Sequence, residues 1–212
     1  MEQKKSRVRT ITQLALLVAI ELVMKLTGIS SIPVGPLNMT FTTVPIAIGA
    51  MLLGPTAGGI LGMVYGFTSL YDAVSGASVM TGVFFQISPI HTFILCVGTR
   101  ILVGIFAGSL FRLFRRVDHT DTVCYFLGGL ATPLLNTLLF MGYIVLVFYN
   151  SGYIQERLAV LGATGPFMFV VLSVGIQGLV EAAVGTAVGG GVAKAVAKAL
   201  QKGADGKGGG AS

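Results

Sequence analysis

The chain has 212 residues, of which 54% are hydrophobic and 10% charged, and its net charge is +6. A soluble domain averages about 25% charged residues, so this chain cannot cover itself with solvated side chains. With a mean hydropathy of +0.86, it reads as an integral membrane protein surrounded by lipid. The positive balance does not point to nucleic acid, because the basic residues lie at the ends of apolar segments, where membrane topology accounts for them.

A spanning helix needs ~20 apolar residues, and six candidates follow one another. The first runs from about Thr10 to Gly28, the second from Thr40 to Leu53 and the third from Ala57 to Tyr71. The fourth covers Pro89 to Leu113, the fifth Thr122 to Tyr149 and the sixth Gly165 to Ala199. The second and third are short and separated only by "GPTAGG", which reads as a tight helical hairpin or as two re-entrant pieces. The expected architecture is all-α: a basic segment over residues 1–9, a six-helix membrane domain over 10–200 and a flexible glycine-rich tail over 201–212.

Charge sets the expected orientation. Lys4, Lys5, Arg7 and Arg9 precede the first span, Arg112, Arg115 and Arg116 follow the fourth, and Lys194, Lys198 and Lys202 end the sixth. With six spans these clusters fall on one side, the cytoplasm, and put both termini there. The opposite side receives the loops 29–41, 72–88 and 150–164, with Arg157 their one basic residue. Long ordered loops tend to carry function, so the working face is expected to point outward.

Nucleophile, metal and phosphate-loop motifs are absent from the pattern, and Cys96 and Cys124 sit in or beside apolar segments as small core residues. Neither an enzyme, a metal nor a cofactor is expected. Polar groups within the spans are the informative residues, because a charge at mid-membrane costs ~2.5–3.5 kcal/mol even on the lenient insertion scale. Arg100 lies in the middle of the fourth span, Asn136 in the fifth with Tyr143 two turns on, and Gln177 and Glu181 one turn apart in the sixth. Arg100 and Glu181 read either as a buried ion pair or as ligand-binding groups. Glu21 and Lys25, one turn apart on the first span, read as a local helix pair. Small residues recur at helical spacing: Ala15 and Ala19; Gly58, Gly62 and Gly66; Gly104 and Gly108; Gly185 and Gly189. Such faces permit close helix contact.

A family resemblance rests on a series of segments. "LALLVAI", "IPVGPLNMTFTTVPIAIGAMLLGPTAGGILGMVYGFTSL", "FFQISPI", "TRILVGIFAG", "TPLLNTLLF" and "LVEAAVG" together resemble the substrate-binding S components of energy-coupling factor (ECF) transporters, and most of all the pantothenate-type members. The resemblance spans roughly residues 10 to 190, with one departure at Gln177, where the pattern has Asn. It implies a multi-pass subunit of the bacterial cytoplasmic membrane that binds a vitamin near the outer face. It also implies a partner T component, met by the face of Ala15 and Ala19, and two cytoplasmic ATPases.

The resemblance makes the connector 32–45 a lid over the site. Pro33 and Pro36 stiffen it, and Asn38, Thr40, Thr42 and Thr43 supply short polar groups. Arg100 is expected to meet the carboxylate of an anionic vitamin, with Asn136, Gln177 and Glu181 taking hydroxyl and amide groups. Tyr71, Phe85 and Tyr143 would wall the pocket. Alternatives are another vitamin or precursor, such as a folate, a pyrimidine or niacin, and an ion-coupled carrier, which an inverted internal repeat would mark.

Overall fold

The computed structural model describes residues 2–28, 31–34, 37–118 and 122–208, with side chains over 7–28, 41–118, 122–175 and 177–200. Helices dominate, apart from one short hairpin. In chain order they are α1 (Glu2–Leu26), strands β1 (Ser31–Val34) and β2 (Leu37–Thr40), α2 (Thr43–Leu53), α3 (Pro55–Ser75) and α4 (Val79–Ile87). Next comes one long helix made of α5 (Pro89–Phe93), a π-helical turn (Ile94–Gly98) and α6 (Thr99–Val117). Then follow α7 (Val123–Phe148), α8 (Gly152–Leu161), α9 (Pro166–Val184), a second π-helical turn (Gly185–Gly190) and α10 (Gly191–Gly208).

Among the described residues, three helices are long and apolar enough to cross a membrane: Pro89–Val117, Val123–Phe148 and Gln177–Leu200. The bent pair Gly152–Leu161 and Pro166–Gly175, which meet at 71°, makes a fourth if it counts as one span. The segment read as a single sixth span is therefore broken. The break falls at Gly175, whose φ of 18° and ψ of −115° lie outside the helical region. Helix α10 continues through Gly208, into the segment expected as a glycine-rich tail.

Glycine decides the closest contact in the molecule. Helices α3 and α6 run antiparallel with their backbones touching. A Cβ on Gly58 would sit 2.5 Å from the Gly104 carbonyl oxygen, and one on Gly66 would sit 2.7 Å from Val97 Cα. Dispersion across so short a gap is favourable in lipid, where the solvent offers little hydrophobic drive between helices. The glycine faces read from the sequence on the third and fourth spans thus meet each other.

Helix α1 runs alongside α3 in the same direction. Leu14, Leu17 and Val18 pack against the buried Ile46, Leu61 and Tyr65, and further along Lys25 forms an ion pair with Asp72 of α3. The expected local pair of Glu21 with Lys25 does not form. Glu21 turns inward and is 1% exposed, whereas Lys25 stays at the half-exposed rim where Asp72 meets it.

The segments 72–88 and 150–164, expected as long loops, are mostly helical. Residues 72–75 finish α3, and α4 and α8 carry apolar faces of their own. Phe84 of α4 is fully buried; it stacks on Phe148 with ring centroids 4.3 Å apart and meets Tyr153 edge-on at 6.0 Å. Helix α8 is capped by Ser151, whose hydroxyl accepts from the Ile154 N–H at 3.4 Å, and it buries Ile154 and Leu158. Helical pairing satisfies the backbone groups that open loops would leave wanting at a membrane surface.

Candidate functional site

Register places Arg100 of α6, Asn136 of α7 and Glu181 of α9 at similar depth. Gly62 of α3 faces the Arg100 carbonyl. Along α6 and α7, Phe111 meets Tyr125 with ring centroids 5.1 Å apart, and further on Arg100 meets Phe140. Between α7 and the second π-helical turn, a Cβ on Gly185 would lie 2.9 Å from Pro133. Asn136 is one turn beyond Pro133, and Glu181 one turn before Gly185, so the two residues share a level.

Arg100 is 4% exposed. Its guanidinium lies 4.0 Å from the centroid of the Phe140 ring and 4.7 Å from that of Tyr65. It donates weakly to the Thr99 hydroxyl at 3.4 Å and the Tyr65 hydroxyl at 3.5 Å. Aromatic faces and hydroxyls balance this charge; it forms no ion pair among the described residues. Its Nε and the Oδ1 of Asn136, itself 7% exposed, are buried without hydrogen-bond partners among the described residues. Buried polar atoms in native proteins nearly always have partners, so the orphaned donor and orphaned acceptor set Arg100 and Asn136 apart from the packed core around them.

Gln177 and Glu181 are also brought together: the Gln177 amide donates to a Glu181 carboxylate oxygen at 3.1 Å. The remaining sequence-derived residues are dispersed. The Tyr143 hydroxyl and His91 Nδ1 hydrogen-bond at 3.0 Å; His91 lies about 13 Å of helix rise from Arg100, whereas Tyr143 is one turn beyond Phe140 on α7. Tyr71 is 70% exposed and walls nothing in this layer. Phe85 is half-buried on α4, beside Phe84. The side chains of Asn38 and Thr40 lie outside the described residues; their backbone forms β2, which pairs antiparallel with β1, with Pro33 opposite Asn38. Strand β2 packs on α9. Ala15 and Ala19 are exposed.

Residues not singled out in the sequence complete the picture. Tyr65 and Phe140 form the aromatic bed of Arg100. A separate small cavity lies among α4, α7, α8 and α9, lined by Met80, Met141, Tyr153, Ile154, Arg157, Phe169 and Ser173. There Arg157 donates to the Tyr153 hydroxyl at 3.1 Å. Among the described residues no group of three or more His, Cys, Asp or Glu side chains could hold a metal ion.

A comparison with curated proteins finds no match. The family model described as "ECF transporter, substrate-specific component" matches residues 9–188, nearly the whole chain. Members of that family are substrate-binding subunits that work with T and ATPase modules. The chain therefore belongs to the substrate-specific components of ECF transporters, as a membrane subunit that binds a small molecule and is not an enzyme.

Proposed function

We propose that this subunit captures pantothenate from outside a bacterial cell and hands it inward through a T component and two ATPases. In this reading the chain crosses the cytoplasmic membrane six times over residues 10–200, with both termini inside, in keeping with the basic clusters. Capture of a scarce vitamin calls for a Kd of ~1 nM, about −12 kcal/mol. A ligand of this size reaches that only when nearly enclosed, with its carboxylate met by a desolvated charge.

Arg100 is the group that receives the carboxylate. The single observation that supports this most is its state: a buried guanidinium on aromatic faces with Nε unpartnered. Asn136, Gln177 and Glu181 take the hydroxyl and amide groups. The hairpin β1–β2, resting on α9, acts as the lid, with Asn38 and Thr40 on its second strand. Ala15 and Ala19, exposed on α1, form the small-residue face toward the T component.

A second reading follows from the cavity at Arg157, which offers an anion a guanidinium and the Ser173 hydroxyl in the region of α4 and α8. There the carboxylate would sit nearer the outer face and Arg100 would serve packing alone.

Thermal unfolding of the purified protein with pantothenate, folate, nicotinate and a pyrimidine tests the substrate. A tight ligand stabilises by RT ln(1 + [L]/Kd), so pantothenate alone should raise the midpoint. A rise with another of the four, and none with pantothenate, overturns the assignment.

A further inference from the structure

Glu21 is the most deeply buried acidic or basic side chain among the described residues, at 1% exposure, and neither carboxyl oxygen has a hydrogen-bond partner among them. Its place follows from its neighbours on α1. Leu17, one turn earlier, packs against the cluster that includes Tyr65. Lys25, one turn later, is paired with Asp72. Glu21 thus faces α3 between the levels of Leu61 and Asp72, on the stretch of α3 that carries Tyr65, whose hydroxyl accepts from the Arg100 guanidinium at 3.5 Å.

A carboxyl group in an apolar interior without partners is costly in either protonation state. Packing does not require one there, since leucine would fill the same space. The group is retained where something beyond the described residues completes its hydrogen bonds. We infer that Glu21 is a specificity residue: it accepts a hydrogen bond from a terminal hydroxyl of the transported molecule, remote from the carboxylate that Arg100 meets. This rests on the site proposed above. It adds a requirement that the layer of Arg100 and Asn136 does not contain: the ligand must carry a donor at some distance from its carboxylate. An acid of the same shape without that donor is then rejected, because it leaves the Glu21 oxygens buried and unpaired.

Calorimetric titration of the purified full-length protein tests this with two probes, pantothenate and its analogue lacking only the terminal hydroxyl. The wild type should prefer pantothenate by about 10- to 100-fold, the worth of one hydrogen bond to a charged group. Glu21→Leu should lose that preference and bind the two acids alike. Glu21→Gln, which keeps an acceptor oxygen, should retain most of it. Unfolding without ligand separates folding from binding: the Glu21→Leu midpoint should match or exceed the wild type. If Glu21→Leu keeps the full preference while Arg100→Ala loses binding, the carboxyl is structural and the inference falls, with the site intact. If Arg100→Ala binds normally, the site reading itself has failed, and the inference with it.

Discussion

The guanidinium carbon of Arg100 lies over the ring of Phe140, 4.0 Å from its centroid. A ring face stabilises a cation without consuming its N–H donors. The charge is thus tolerated in the bundle while Nε stays available, which a carboxylate partner would have prevented. Arg100→Ala should weaken pantothenate binding ~100-fold or more, the usual cost of removing one member of a buried charge pair. Arg157→Ala should change it less than about threefold, as expected where a charge is not the anchor. Titration calorimetry on both variants decides between the two arginines, and the reverse order of effects would move the anchor to the cavity at Arg157.

Arg100→Lys keeps the charge but replaces a planar, stacking group by a compact ammonium. Its affinity should fall between wild type and Arg100→Ala. Binding equal to wild type would mean that the stack on Phe140 does not orient the donor.

Gly104→Leu should unfold the bundle early. The Cβ at position 104 would run into the Gly58 backbone, and neither helix can shift without breaking its contacts along the whole α3–α6 seam. Overpacking typically costs ~1–3 kcal/mol, and backbone on the opposing side puts this site at the upper end or beyond. Thermal unfolding in detergent reads the loss; an unchanged midpoint would contradict the packing described.

Asp72→Asn removes the partner of Lys25. Both side chains are partly exposed, at 28% and 22%, so the loss should be within ~0–1 kcal/mol and should shrink further in high salt. A large loss, insensitive to salt, would show that the pair is buried more deeply than the structure has it.

Ala15→Trp and Ala19→Trp should abolish recovery of the T component and ATPases with the tagged subunit, and leave pantothenate affinity unchanged. Both positions are exposed on α1, so bulk there meets only a partner or lipid. Recovery of the full complex from the double variant would place the docking face elsewhere.

The long apolar runs of α6 and α7 were legible because nothing but a spanning helix accommodates them. Arg100, Asn136 and Glu181 stood out for a related reason: polar groups within such runs are too costly to be incidental. Glu21 was hidden by Lys25, which offered a partner at helical spacing while the real partner of Lys25 lay 47 residues away at Asp72. Tyr65 and Phe140 were hidden because an aromatic residue in an apolar run looks the same whether it fills the core or supports a cation. Helices α4 and α8 were read as loops because each is short and flanked by Gly and Ser, with its apolar face visible only once Phe148 is beside Phe84. The break in α9 left no mark, since glycine is ordinary in membrane helices and Gly175 differs from its neighbours only in its dihedral angles.

The interlocked glycines of α3 and α6 divide the molecule mechanically. Two backbones in van der Waals contact cannot slide or part by small steps, so this seam behaves as a single stiff keel carrying the Arg100 side chain. Among the described residues, the first half of α9, up to Gly175, has no comparable seam. In the reading proposed above, admission of cargo then falls to this lighter flank rather than to the keel.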